Sequence, residues 1–329
     1  MEELPEVLFV RTEDGWDLAL HLWRGRGPKR SSPVLAVHGL AANRLNIDLD
    51  ARHSVARAAQ RRGFDVYVLE LRGSGHSKPP EDRDRTLFQW GFAEHSKLDL
   101  PVAMKAVLDH SGAKALHGFG HSMGGMLFYA LGVQRPPELR SITTVGAPMI
   151  SELNLAPLES RLMEVGMRLA PASPLRRVPI KQLLGVAGRF ITISARVVDG
   201  LLLNAANCDH DVMARVAREG IADIPLKLVQ ELWEQMGKRG KPQPPFEYEA
   251  ELGKIAVPIL VLSGSVDRIA PYQSVEAGAS RLQSCDVRYR KMGLDSGDRA
   301  DYGHADLLVG KSSSDEVYPF LVDFIEEMD

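Results

Sequence analysis

Short apolar runs recur along the chain and differ in what surrounds them. Two of them, Glu6–Arg11 and Leu18–Trp23, are separated by a turn-forming Glu-Asp-Gly sequence, and together they predict an opening β-hairpin. Two more, Val34–His38 and Val66–Leu71, are bounded by Gly or Pro and are apolar along most of their length. That pattern is typical of parallel strands that are buried on both faces of a sheet.

Helical and strand patterns alternate through the first half of the chain. Predicted helices lie at Ala51–Arg62, Phe92–His110 and Met123–Gln134, with predicted strands at Ala115–Phe119 and Ile142–Val145. The alternation resumes near the end of the chain, with strands at Ile259–Ser263 and Val287–Lys291 and helices at Ser274–Leu282 and Asp315–Glu327. This order predicts an α/β fold: a mostly parallel sheet with helices on both faces.

The alternation is interrupted between residues 150 and 252. Helix-like segments occur there without intervening strands, at Leu158–Leu169, Val212–Glu219 and Pro225–Met236, together with an apolar segment at Ile191–Leu203. We therefore expect one α/β core made of residues 1–149 and 253–329. Residues 150–252 are expected to form a helical cap inserted between its two parts.

The strongest chemical signal is Gly120-His121-Ser122-Met123-Gly124, between a predicted strand and a predicted helix. A nucleophile on such a sharp turn needs very small flanking residues, and Gly120 and Gly124 meet that need. The turn also directs the backbone N–H of Met123 at the oxyanion that forms during attack. A structural Gly-rich turn is the alternative, but the strand-turn-helix context favours Ser122 as the nucleophile of an α/β-hydrolase fold.

A serine hydroxyl needs a neighbouring base, and in this fold the histidine follows the nucleophile along the chain. Only His210 and His304 lie well downstream of Ser122. His304 lies in a polar loop between the last predicted strand and the last predicted helix, so it is the predicted base. His210 has flanking aspartates but no second histidine nearby, so we predict an exposed helix start there rather than a metal ligand.

A carboxylate has to hold the imidazole in the correct tautomer and offset its charge. Asp267 comes shortly after a predicted strand and is the predicted acid. Asp295, Asp298 and Asp301 are alternatives that lie nearer to His304 in sequence. They belong to a long charged loop, which is more typical of a solvated surface segment.

The second oxyanion donor is expected from the loop after an early strand. His38-Gly39-Leu40 occupies that place, and the N–H of Leu40 is the predicted donor. Because His38 precedes the nucleophile, we expect it to brace this loop rather than to transfer protons.

Composition narrows the range of functions. The chain has 329 residues, is 44% apolar and carries a formal net charge of −3, which gives no electrostatic reason to expect nucleic acid as a partner. The start of the chain lacks the basic and apolar segments of a secretory signal, and no apolar stretch is long enough to span a membrane, so we expect a cytoplasmic protein. Cys208 and Cys285 are far apart; buried thiols are the favoured interpretation, and a disulfide is the alternative.

The chain resembles the acid lipases, the group that contains the gastric and lysosomal lipases. The likeness rests on residues 13–21 (EDGWDLALH), 37–40 (VHGL), 89–92 (QWGF) with 99–101 (DLP), the turn at Ser122, residues 302–306 (YGHAD), and Cys208 with residues 224–225 in the insertion. It implies a triad of Ser122, Asp267 and His304, oxyanion donors at Leu40 and Met123, and a lid formed by the insertion.

The same resemblance implies hydrolysis of a small-molecule or lipid ester with an acyl chain, and this chemistry needs no metal or organic cofactor. Acyl transfer or thioester hydrolysis would use the same residues, so both remain alternatives. A ligand-binding homologue without turnover is a third, disfavoured because a serine, an acid and a histidine are all present. The oligomeric state is not indicated by the sequence.

Overall fold

Eight strands form one mixed sheet in the computed structural model, which describes residues 3–82, 87–149, 161, 164–166, 176–182, 201–237, 244–283 and 286–329. The described strands are β1 (Glu6–Arg11), β2 (Asp17–Trp23), β3 (Val34–Val37), β4 (Val66–Glu70), β5 (Leu116–His121), β6 (Leu139–Val145), β7 (Arg177–Val178), β8 (Ile224–Pro225), β9 (Ile259–Gly264) and β10 (Val287–Met292). Their order in the sheet is β1-β2-β4-β3-β5-β6-β9-β10, whereas β7 and β8 form a separate antiparallel pair. Strand β2 pairs antiparallel with β1 and β4, and all other neighbours in the sheet are parallel.

Helices connect the parallel strands. They are α1 (Val55–Arg61), α2 (Phe92–Glu94), α3 (Leu100–Ser111), α4 (Met123–Gly132), α5 (His210–Glu219), α6 (Leu226–Gly237), α7 (Tyr248–Glu251), α8 (Tyr272–Ala279), α9 (Asp306–Val309) and α10 (Ser313–Met328). A π-helical turn, His95–Asp99, joins α2 to α3, and 3₁₀ turns lie at Arg44–Asn46, Ala205–Asn207, Leu252–Lys254 and Leu294–Ser296. Helix α1 begins later than the pattern predicts because the side chain of Ser54 accepts a hydrogen bond from the N–H of Arg57 and caps it.

Each face of the sheet is covered by its own helices. Alternate residues of β3 show the division: Leu35 and Val37 pack in one buried cluster with α3, α4 and α8, whereas Val34 and Ala36 pack in a second cluster with α1 and α10. Side chains of a strand point alternately to opposite faces, so a strand buried on both faces must be apolar throughout. The predicted α/β fold with helices on both faces is confirmed.

The region between β6 and β9 is described only in part. Its described residues add no strand to the large sheet, and they contain the β7–β8 pair and helices α5, α6 and α7. Most of the predicted helix Leu158–Leu169, most of the apolar segment Ile191–Leu203, and Cys285 lie outside the described residues, whereas Cys208 is buried. None of the helices that the structure describes has both the length and the apolar composition needed to cross a lipid bilayer.

Candidate active site

Ser122 lies on a strained turn between β5 and α4. Its backbone has φ 53° and ψ −122°, a region that residues with a side chain rarely adopt. Its N–H is bonded to the carbonyl of Val145 on the neighbouring strand, and its carbonyl accepts from the N–H of Gly125, so both sides of the turn are held. Strain of this kind persists where the surrounding structure over-determines the conformation, and such positions cluster at functional sites.

The glycines on either side of Ser122 are required by backbone contacts. A Cβ on Gly120 would lie 2.3 Å from the backbone nitrogen of Gly125, and one on Gly124 would lie 2.2 Å from the carbonyl oxygen of Val37. No side chain fits at either distance. The sequence argument that both positions must be very small therefore has a direct steric cause in the structure.

The structure brings Ser122, His304 and Asp267 together from three distant parts of the chain. His304 Nε2 lies 2.8 Å from Ser122 Oγ, and His304 Nδ1 lies 2.8 Å from Asp267 Oδ2. All three residues are buried. Because a carboxylate only accepts, the Nδ1–H donates to Asp267, and the neutral ring then presents the lone pair of Nε2 to the serine hydroxyl.

Asp267 is itself held rigidly. Its second oxygen, Oδ1, accepts hydrogen bonds of 2.8 Å from the N–H groups of both Ile269 and Ala270. One oxygen is thus used by the turn after β9, and the other is left for His304. This division of hydrogen bonds fixes the orientation of the carboxylate towards His304.

The alternative carboxylates lie elsewhere, and one expectation about them was wrong. Asp295 is exposed and bonds to Lys291, but Asp298 is buried and accepts from Arg290 and the N–H of Gly293. Asp301 accepts from Ser265 Oγ at 2.8 Å. Asp298 and Asp301 are therefore structural acceptors rather than solvated charges, because the loop folds back onto the end of β9 and β10.

The loop after β3 carries the other predicted site residues. His38 Nε2 accepts from the N–H of Leu71 at 3.2 Å, so its Nδ1 carries the proton and donates to the carbonyl of Gly39 at 2.8 Å. Burial lowers the pKa of His38 to about 4, which keeps the ring neutral at neutral pH. Its hydrogen bonds tie the loop to the end of β4.

The backbone N–H groups of Leu40 and Met123 are not used by the described parts of the protein, where neither has a hydrogen-bond acceptor. Both residues line one narrow cleft that is open to solvent. Met123 is the first residue of α4, where the first N–H groups of a helix have no partner within it. Two residues with unused backbone donors thus line the same cleft, and one of them, Met123, directly follows Ser122.

His121 and Asn46 lie between the loops that carry Leu40 and His304, and sequence reasoning assigned no role to Asn46. Asn46 Oδ1 accepts from the N–H of Gly39 at 3.0 Å and lies 2.9 Å from His121 Nδ1. The other ring nitrogen of His121 lies 3.2 Å from the carbonyl oxygen of His304. Burial, with the nearby His304 ring, lowers the pKa of His121 to about 3. The neutral ring carries one N–H and both oxygens only accept, so His121 donates to one of them and lies against the other. The residue that precedes Ser122 therefore lies between the loop of Leu40 and the loop of His304.

Asp306 is a second residue that the sequence analysis left without a role. It is buried and accepts from the N–H of Gly303 and, across to the insertion, from the N–H of Asn204 and the side chain of Asn207. Burial, which these hydrogen bonds only partly offset, raises its pKa. The carboxylate fixes the loop of His304 to residues of the insertion.

A histidine and carboxylate cluster lies apart from these residues, at the end of β4. In the described chain, His21, Glu70 and His76 are the group with metal-ligand composition, with ligand atoms within 4.8 Å of one another. The carboxylate of Glu70 already accepts from His21 Nε2, from both the ring and the N–H of His76, and from the N–H of Arg44. These bonds supply hydrogen-bond donors to both oxygens of the buried carboxylate and hold the loop that follows β4.

His210, as predicted, begins a helix with its side chain exposed.

Glu70 makes a pH-dependent contribution to stability. Burial alone would raise its pKa, but the hydrogen bonds from His21 and the two backbone N–H groups outweigh burial and lower the pKa from 4.5 to about 2. Since the folded value is the lower one, the carboxylate stabilises the fold above about pH 4.5 and loses this contribution as the pH falls towards 2.

We expect Glu70→Gln to lower the free energy of unfolding at neutral pH by about 2–3 kcal/mol, because buried N–H donors lose a charged acceptor. The difference from wild type should narrow once the pH falls below about 4.5, the ordinary pKa of a glutamate. Urea titrations of the wild type and the variant at a series of pH values measure this difference in the free energy of unfolding. An equal difference at every pH would contradict this assignment.

Comparison with known proteins places this arrangement in a family. The family model described as alpha/beta hydrolase fold matches residues 32–297. Triacylglycerol lipase 1 of Arabidopsis thaliana is 24% identical over 96% of this chain and 85% of its own length. Human lysosomal acid lipase/cholesteryl ester hydrolase is 29% identical over 55% of this chain and 45% of its own length. The match thus spans less than half of the human lipase. The predicted similarity to the acid lipases is confirmed.

Solved structures agree with the fold. An esterase from Thermogutta terrifontis has a TM-score of 0.62 at 18% identity, covering 98% of this chain and 99% of that one. A monoacylglycerol lipase of Paleococcus ferrophilus has a TM-score of 0.62 at 17% identity, covering 95% and 99%. Sheet order, strained serine turn and family match together lead to one conclusion: this chain belongs to the alpha/beta hydrolase fold family.

Proposed function

We propose that this protein is a serine hydrolase that cleaves carboxylic esters through an acyl-enzyme. The observation that carries the proposal is the continuous set of contacts from Ser122 Oγ through His304 to Asp267, each 2.8 Å long. A serine hydroxyl is activated when a positioned base can take its proton. The similarity to lipases supports ester hydrolysis as the reaction.

In the acylation step, His304 Nε2 takes the proton of Ser122 as its Oγ attacks the ester carbonyl. The carbonyl oxygen becomes negatively charged, and the N–H groups of Leu40 and Met123 donate to it. The imidazolium of His304, offset by Asp267, then gives its proton to the leaving alcohol as the carbon–oxygen bond of the ester breaks. The product is an acyl group bound to Ser122.

In the second step, water replaces the alcohol. His304 takes a proton from the water, whose oxygen attacks the acyl carbonyl, and the same two N–H groups hold the oxyanion. Ser122 then leaves with a proton from His304, and the carboxylic acid is released. Every atom and proton is accounted for by the three side chains, water and the ester.

The insertion supplies one wall of the site in this proposal. Ile224, Pro225 and Leu228 line the same cleft as Leu40 and Met123. Residues 150–252 would then form a lid over the nucleophile, as the sequence predicts. An apolar wall facing two backbone donors suits an acyl chain whose carbonyl lies at the donors.

A fluorophosphonate probe and a set of p-nitrophenyl esters test the proposed function. Covalent labelling of Ser122, found by peptide mass spectrometry, and release of nitrophenol are the expected results. Including an acyl thioester in the set distinguishes ester from thioester preference. A correctly folded protein that neither labels nor hydrolyses any ester would overturn the proposal.

A further inference from the structure

His95 is a buried, titratable side chain that the proposed mechanism does not use. It lies in the π-helical turn His95–Asp99 between α2 and α3, and it is 2% exposed. Turns of this kind are rare and occur frequently at functional sites. The same residue lines the cleft that contains Leu40 and Met123.

One side of the His95 ring is held by a chain of charged groups. Its Nδ1 lies 2.9 Å from Asp99 Oδ2, and the other oxygen of Asp99 accepts from Arg72 Nε at 2.8 Å and Nη2 at 2.6 Å. Arg72 also donates to Asp14 at 2.6 Å. A ring anchored by a fully buried ion pair is pre-organised, since it cannot turn without breaking that pair.

The other nitrogen of the ring is open to the cleft. Within the described parts of the chain, His95 Nε2 has no hydrogen-bond partner, and unlike the orphaned nitrogens of His21 and His117 it is not sealed inside the protein. The carboxylate of Asp99 accepts the Nδ1–H, so Nε2 of the neutral ring presents a lone pair. What it can recognise is a hydrogen-bond donor.

In the proposed mechanism, the acyl part of the ester lies towards this cleft. The carbonyl oxygen must lie at the N–H groups of Leu40 and Met123, which line the cleft, and the leaving alcohol must lie near His304, which does not. Ser74 also lines the cleft, and its hydroxyl has no partner among the described residues. An acceptor from His95 and a donor from Ser74 together complement a hydroxyl, which both donates and accepts.

We propose that His95 determines substrate specificity by accepting a hydrogen bond from a hydroxyl on the acyl chain, so that the enzyme acts on esters of hydroxylated acids. This inference rests on the proposed function and names its substrate class. A buried polar group left unpaired by an unsubstituted acyl chain disfavours that chain, which gives the preference its physical origin.

Matched ethyl esters test the proposal: butyrate against β-hydroxybutyrate, and hexanoate against ω-hydroxyhexanoate. For at least one pair, kcat/KM of the wild-type protein should favour the hydroxylated ester by about tenfold or more. Labelling by a fluorophosphonate is measured in parallel. Labelling with equal kcat/KM values within both pairs would overturn this inference alone, whereas absence of labelling and of all hydrolysis would overturn the proposed function.

Two variants of His95 separate recognition from structure. The amide nitrogen of His95→Asn takes the place of Nδ1 and keeps the bond to Asp99, but nothing replaces Nε2. His95→Gln places an amide group near Nε2 and loses the bond to Asp99. The ratio of kcat/KM within the preferred pair should fall to about one in His95→Asn and remain above one in His95→Gln. The reverse order, or a preference for esters that carry a carboxylate, would overturn the proposal.

Discussion

Ser122→Ala is expected to lower kcat for ester hydrolysis by on the order of 10⁴-fold or more, because the atom that forms the acyl-enzyme is removed. The strained backbone at φ 53° is equally available to Ala and Ser, since both carry a Cβ. Stability should therefore change little. Initial rates with a p-nitrophenyl ester, together with thermal unfolding, measure both quantities.

A matched control for this variant is Ser280→Ala, which removes an exposed serine hydroxyl outside the site. It should retain wild-type kcat and fluorophosphonate labelling, whereas Ser122→Ala should lose both. Retention of more than a few per cent of wild-type kcat by purified Ser122→Ala would show that Ser122 is not the nucleophile.

Asp267→Asn is expected to lower kcat by about 10⁴-fold with little loss of folding. The amide oxygen can still accept from the N–H groups of Ile269 and Ala270, so the turn is kept. The amide nitrogen then faces His304 Nδ1 as a donor, which favours the wrong tautomer, and no charge offsets the imidazolium. We would compare kcat of the purified variant with that of the wild type and use circular dichroism to check that the variant is folded.

The alternative carboxylates make good controls because their contacts differ. Asp295→Asn should be close to wild type, since that side chain is exposed. Asp298→Asn and Asp301→Asn should lower stability by about 1–3 kcal/mol because each loses the charge of a hydrogen-bond acceptor, but the folded variants should keep kcat. If Asp301→Asn lost activity and Asp267→Asn kept it, the acid would have to be reassigned, leaving Ser122 and His304 in place.

The elements of the sheet could be predicted because burial leaves a local signature. A strand such as β3 is covered on both faces and is apolar along its length, and the sharp turn at Ser122 admits only glycine at its closest contacts. Both constraints act on neighbouring residues, so the sequence shows them directly. The predicted insertion at residues 150–252 rests on the same kind of local pattern.

The partners of buried polar groups were harder to predict. Asp298 and Asp301 were expected to be solvated because the loop is charged and contains Gly, yet both accept hydrogen bonds from groups that the fold brings back to them. Asn46 contacts a residue 75 positions away, and nothing in the neighbouring sequence distinguishes it from other asparagines. In the sequence, nothing distinguishes His95 from the other polar residues of the predicted helix Phe92–His110.

Sequence by itself determined the fold class and predicted the sharp turn at Ser122, with His304 and Asp267 as the expected base and acid, because small residues and chain order are constraints that the sequence displays directly. Only the tertiary structure decided which polar atoms are paired and which are left open. A hydrogen bond requires its donor and acceptor to be placed to within a few tenths of an ångström, even when the two residues are 182 positions apart, as are Ser122 and His304. The open nitrogen of His95 and the free N–H groups of Leu40 and Met123 are therefore properties of the folded chain alone.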